Sequence, residues 1–324
     1  MTRFEGDPMN ERRTIAVVGA TGAQGGGLAR AILSDADGGF SVRALTRRPD
    51  SEPARALAER GAEIVRADLD DPESVGQAFD GCWGAFCVTN FWEHLSPEKE
   101  QVQARNQARA AADAGLHHVI WSTLEDTRNF VPLDDDRMPT LSGRYKVPHF
   151  DAKGEADEAF LALGLPVTFL RAAFYWENLI YFGSGPKRGA DGVLDFVLPM
   201  GEAKMPGIAA EDIGRCAYGI FVDGTARVGQ TIGVAGEHLS GSEMAAAMEK
   251  ALGEPVRYVA IDPADFRALG FPGAEDLGNM FQFYRDFETA FRASRPVELA
   301  RKLNPSLQSF SEWLEENAEK IPLE

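Results

Sequence analysis

Cysteine is scarce in this chain: three residues in 324, at positions 82, 87 and 216. An odd, sparse set excludes a disulfide framework and points to a reducing compartment, with the cytoplasm as the expected setting. Cys82 and Cys87 lie in the apolar run GCWGAFCVT and read as buried structural thiols. Histidine is also rare, at five. The adjacent His117 and His118 would point to opposite faces of a strand, so no metal site is expected. Long apolar runs are missing too. The longest uncharged stretch, Thr14 to Ala29, is rich in glycine and unsuited to span a bilayer, so no membrane partner is expected. Basic charge is short as well: 33 Lys and Arg against 50 Asp and Glu leave a net −17. Such a field repels phosphate backbones, which argues against direct nucleic-acid binding. There is no internal repeat.

What is present is an ordinary globular balance, 44% hydrophobic and 26% charged. Residues 1–12 read as a flexible tail. From Arg13 onward short β-rich runs (TIAVVG, FSVRALT, AEIVRAD, WGAFCVT, HHVIWST, PVTFLRA) alternate with segments of helical period (AQGGGLARAILSD, SEPARALAERG, PESVGQAFDG, SPEKEQVQARNQARAAADAG, HFDAKGEADEAFLALG). Strands alternating with helices imply right-handed crossovers and a parallel sheet covered on both faces. The expected class is therefore α/β, a Rossmann-type doubly wound sheet over residues 13–172, joined by part of 210–235. Residues 173–324 are expected to form a smaller α+β lobe. An acidic, proline-bearing segment, 124–148, interrupts the rhythm and is too long for a simple connector.

The first strand runs into Gly19, Thr21, Gly22, Gln24 and Gly25, and then into a helix. The spacing is Gly-x-x-Gly-x-x-Gly. Glycines there permit a tight turn, close approach of a pyrophosphate to backbone, and tight helix–strand packing, while helix N-terminal amides face the anion. At the end of the second strand, where a carboxylate would read a free 2′-hydroxyl, stand Arg47 and Arg48. Two guanidiniums suit a 2′-phosphate, which favours NADP(H) over NAD(H). Asp68 and Leu69 follow the third strand at the expected adenine position. Thr89 and Asn90 follow the fourth, at the carboxyl ends where such sheets bind ligands.

The stretches VVGATGAQGGGLARAIL, LTRRP, HFDAKGE and LNPSLQSFSEWL resemble the NmrA-like family, a branch of the atypical short-chain dehydrogenases, from about residue 13 to 320. With FYWENL and FPGAEDLGNMFQFY the chain most resembles the HSCARG-type NADP(H) redox sensors. The resemblance implies a Rossmann domain, NADP(H) binding, and a sensing role with little or no turnover. Reductases of the wider superfamily place a tyrosine four residues before a lysine, the phenol serving as proton donor. Here Lys153 is preceded at that distance by His149, while Tyr145 lies four residues earlier still.

Two functions are left open. One is a cytoplasmic redox sensor acting on a protein partner, with segment 124–148 as its moving element and a homodimer as one assembly. The other is an NADPH-dependent oxidoreductase for a small aromatic, quinone or enone ligand, with Lys153 holding the ribose and His149 or Tyr145 assisting protonation. Trp92, Tyr175, Asn178, Phe281 and Tyr284 are the residues expected around such a ligand.

Overall fold

The two faces of the first strand show how the fold is built. Ile15 and Val17 enter one apolar cluster, and Ala16 and Val18 enter another. A strand buried on both sides belongs in the middle of a covered parallel sheet. In a computed structural model that describes residues 12–323, that is where it lies. Residues 1–11 of the expected tail fall outside the described part.

The chain alternates β1 (Arg13–Val17), α1 (Ala23–Ser34), β2 (Phe40–Thr46), α2 (Glu52–Glu59), β3 (Glu63–Arg66), α3 (Pro72–Phe79), β4 (Gly84–Cys87), α4 (Pro97–Asp113), β5 (His118–Thr123), α5 (Pro148–Leu161) and β6 (Val167–Arg171). Proline opens α3, α4 and α5, where its missing N–H costs nothing. Asp71 and Ser96 cap the first two of these helices through their side chains. The strands pair in parallel in the order β6–β5–β4–β1–β2–β3, and Thr231–Gly233 adds a seventh parallel strand beside β6. The order reverses between β1 and β4, so a crevice opens at their carboxyl ends.

The helix Ala210–Asp223 packs on α1 beside that sheet. A Cβ on Gly214 would lie 2.1 Å from the Leu28 nitrogen, and one on Gly27 2.5 Å from the Glu211 oxygen. Glycine on both helices is what lets their backbones touch. The remaining chain forms the second lobe. Two three-stranded sheets and several helices enclose a core rich in aromatics, including Phe174, Trp176, Phe196, Phe283, Phe310 and Trp313.

Segment 124–148 is a strap held at many points rather than a free loop. Asp151 accepts hydrogen bonds from the backbone of Thr127 at 2.8 Å and of Lys146 at 2.8 Å. The buried Lys146 ammonium donates to the carbonyls of Asp135 and Met138, each at 2.8 Å. From the second lobe, Asn279 donates to the Pro139 and Lys146 carbonyls, and Gln282 to that of Arg137. For this segment to act as a moving element, all these bonds would have to break together.

Candidate functional site

At the crevice, β1 turns through Gly19, whose φ of +65° lies in the left-handed region, into α1 with Gly22 as N-cap. No side chain caps this helix, and no acidic residue stands in its first turn. Among the described residues, no side chain binds the first amides of this helix. A Cβ on Gly25 would sit 2.6 Å from both the Val18 and Gly19 carbonyl oxygens, so only glycine lets α1 come this close to β1. Thr21 is exposed on the loop. Gln24 faces inward: its Oε1 accepts from Ser122 Oγ at 2.8 Å and its amide donates to Tyr175 Oη, tying the loop to β5 and the second lobe.

Arg47 and Arg48 are exposed just after β2. Arg47 pairs with Glu93, in the turn after β4, and Arg48 forms no ion pair among the described residues. The Asp68 backbone donates to Ser74 Oγ at 3.0 Å, and the Leu69 carbonyl accepts from Asn106 at 2.8 Å. Both residues are half-buried in the turn after β3, and Asn90 is exposed beside Thr89.

Thr89 leads into a cluster that sequence reading missed. Lys153 Nζ donates to Thr89 Oγ1 at 2.7 Å and to its carbonyl at 3.1 Å, and pairs with Glu100 at 2.8 Å. Thr89 Oγ1 donates to the same carboxylate at 2.6 Å. Glu100 is fully buried, with His94 Nε2 3.4 Å from it. Burial alone would raise its carboxyl, but Lys153, His94 and Thr89 outweigh that and hold it down at about 2. All the polar contacts of the Lys153 ammonium are thus with Thr89 and Glu100.

One turn earlier on α5, His149 Nδ1 lies 2.6 Å from Asp276 Oδ1, and the His149 backbone N–H donates to Oδ2 at 3.2 Å. The imidazole packs against Trp92, with ring centres 4.8 Å apart, and against Phe150 at 4.9 Å. His149 Nε2 makes no hydrogen bond among the described residues, and the residue is buried. Tyr284 is a core residue stacked on Phe291, and burial pushes its phenol well above the ordinary value.

Three expected residues stand elsewhere. Tyr145 lies in the strap before α5 with its ring between Arg128 and Arg144. Its hydroxyl is sealed and unpartnered, so it cannot reach an open site, and the expectation that it assists protonation is corrected. Phe281 is a core residue packed against Phe174, Phe266 and Tyr284, not a wall of the mouth. Asn178 is half-buried at the start of a four-residue helix, with no side-chain hydrogen bond among the described residues. Glu100 and Asp276 carry no local signal: one looks like part of a charged helical face, the other like a helix-start acid.

A doubly wound parallel sheet with a glycine turn and bare helix N-terminus at its switch point defines a Rossmann-type dinucleotide fold. A family model described as NmrA-like family matches residues 11–314. The chain belongs to the NmrA-like family. It is 31% identical over 307 residues to the NmrA-like family domain-containing oxidoreductase FrzB of Cladobotryum sp., covering 88% of this chain and 87% of that one. It is 29% identical to the oxidoreductase hkm9 of Aspergillus hancockii, over 83% of this chain and 82% of that one. Among solved structures, NmrA, a negative transcriptional regulator in complex with NADP, is 25% identical. It superposes with a TM-score of 0.77 over 94% of this chain and 95% of its own. The Citrobacter sp. triphenylmethane reductase complexed with NADP(H), 21% identical with a TM-score of 0.74 over 94% of this chain and 99% of its own, shares the fold.

Proposed function

We propose that this protein binds NADP(H) across the β1–β4 switch point and reduces a small flat acceptor, a quinone or an enone, at a mouth beside His149 and Trp92. The observation that carries the reading is His149 Nε2, unbonded among the described residues, beside the Trp92 ring and one turn from Lys153. A bare helix N-terminus and a glycine-only contact fit a pyrophosphate, and cofactor-bound relatives of this fold support the cofactor.

In this reading the α1 amides and Gly22 hold the pyrophosphate, Arg47 and Arg48 the 2′-phosphate, and Asp68 and Leu69 the adenine. Thr89 and Asn90 border the nicotinamide ribose, and Lys153 acts through the Thr89 backbone it fixes. The bound dinucleotide supplies a hydride to the acceptor carbon. As the acceptor's π electrons move onto its oxygen, the imidazolium formed when solvent protonates His149 Nε2 gives that proton to the oxygen and returns to the neutral ring. Trp92 gives a flat acceptor an apolar wall. The three cysteines, free and buried, support a reducing, cytoplasmic setting.

NADPH consumption with menadione or 2-cyclohexenone as acceptor tests this. His149→Phe should slow turnover by about 100-fold, in the range of a lost general acid, with NADPH affinity unchanged. Undiminished turnover would remove the histidine from the reaction.

The second reading, redox sensing through a protein partner or a homodimer, draws on the likeness to a negative transcriptional regulator. It requires unequal affinity for NADPH and NADP⁺, since equal binding shifts no equilibrium. Parallel calorimetric titrations that differ between the two, in a protein that turns over neither acceptor, would favour it.

A further inference from the structure

The five histidines are held in different ways, and the difference isolates one of them. His238 uses both ring nitrogens inside the protein, accepting from Arg292 at 3.3 Å and meeting the Arg295 carbonyl at 2.9 Å. His118 is fully buried in β5, bonded to Thr168 through Nε2, with Nδ1 sealed. His94 accepts from the Ser96 backbone at 3.1 Å and turns its buried Nε2 toward Glu100. His117 is exposed on the surface. Among the described residues, His149 alone has one nitrogen bonded to a carboxylate at 2.6 Å and the other without a hydrogen bond.

That carboxylate comes from the second lobe, 127 residues along the chain. Asp276 stands in the first turn of the helix Ala274–Asp286, whose N-cap Gly273 has a φ of +86°. A Cβ on Gly273 would lie 3.0 Å from the Trp92 indole, so the helix start lies directly against the ring that also packs on His149. One oxygen of Asp276 takes the His149 backbone N–H and the other its ring, which fixes both the base of the side chain and its tip. A carboxylate can only accept, so Nδ1 must carry the hydrogen and Nε2 is the atom left for exchange with a ligand.

We propose that Asp276 is a positioning residue: it fixes the tautomer and orientation of His149 so that Nε2 faces the mouth. This rests on the reductase reading for its catalytic meaning and on the dyad geometry for its structural one. The second lobe thereby completes the proton-handling group of a helix that belongs to the dinucleotide domain. Asp276→Asn separates the two functions of the carboxylate. The amide oxygen can still accept the His149 backbone N–H, while the amide N–H₂ can donate to the ring and so reverse its tautomer.

The experiment is nitrogen-15 NMR of the imidazole side chains in the cofactor-free protein, with His149 assigned by loss of its signals in His149→Phe. The expected wild-type spectrum shows a protonated Nδ1 and a bare Nε2, and Asp276→Asn loses that fixed pattern. A neutral wild-type His149 that carries its hydrogen on Nε2, or an unaltered pattern in Asp276→Asn, overturns the proposal. Because the wild-type spectrum is decisive alone, a variant that does not fold leaves the test standing. Turnover of menadione is read in parallel: Asp276→Asn should lower kcat on the order of 10-fold, with the KM for NADPH unchanged. Absence of turnover in the wild type together with the expected tautomer would overturn the reductase reading and leave the positioning role of Asp276 intact.

Discussion

The glycine turn and the mouth beside it sit at the same sheet edge and are made in opposite ways. The turn is backbone, drawn from one run between Gly19 and Gly25, and its competence lies in what is missing: side chains, a capping group, an acid. The mouth is side chain, drawn from the end of β4, the start of α4, the first turns of α5 and a helix of the second lobe. Local backbone sites survive most changes around them, because the strand–turn–helix unit generates them. Convergent side-chain sites depend on every segment arriving together.

The sharpest way to break the comparison is at the glycines. Gly25→Val would drive a side chain into the Val18 and Gly19 carbonyls, 2.6 Å from its Cβ, and should abolish NADPH binding and lower the melting temperature together. In Gly22→Val the Cβ is 3.2 Å from the Gly19 oxygen, so the fold should persist while calorimetric titration detects no NADPH binding. A Gly22→Val protein that still binds would show that the turn is not where the pyrophosphate rests.

Next in size is the mouth's buried ion pair. Glu100→Ala leaves the Lys153 ammonium unpaired and should cost about 3–5 kcal/mol in urea unfolding, with the glycine turn unaltered. The same pair gives a pH signature. The Glu100 carboxyl is depressed to about 2 in the folded chain, below its ordinary 4.5. Its stabilisation is therefore complete above about pH 4.5 and drains away as pH falls toward 2. Glu100→Gln should flatten that acid limb, and an unchanged limb would mean the pair contributes little.

Smaller effects are expected outside both regions. Arg47→Ala with Arg48→Ala should weaken NADPH by about 1–3 kcal/mol and leave NADH nearly unaffected, as read by competitive titration. Because Glu93 already pairs with Arg47, most of that loss should appear in Arg48→Ala alone. Last, burial raises the Asp157 carboxyl to about 6, although Trp121 and Thr123 donate to it. A raised carboxyl favours the neutral form, so the charged form costs stability above pH 6. Asp157→Asn should therefore stabilise the protein at pH 7 by about 1 kcal/mol, whereas a lower melting temperature would mean that the charge is needed there.

The doubly wound order was legible because strand and helix periods alternate cleanly up to Arg171, and every helix after α1 in that stretch has a proline in its first turn. The return of Thr231–Gly233 to the sheet was legible only in outline, since three residues carry no period of their own. Among the candidate site residues, the turn through Gly19, Gly22 and Gly25 was readable from spacing, and the shared helix face of His149 and Lys153 from their one-turn separation. Tyr145 and Phe281 were misplaced for a common reason. Aromatic residues look alike in sequence whether they wall a site or fill a core, and only packing tells the two apart.

By itself the sequence determined the architecture and the anion-binding turn, because both follow from short-range periodicity and from where Cβ atoms are absent. Tertiary structure alone decided what Lys153 and His149 do. Their partners Thr89 and Asp276 lie 64 and 127 residues away, and no local pattern records a contact that exists only once the sheet closes and the second lobe docks on α5.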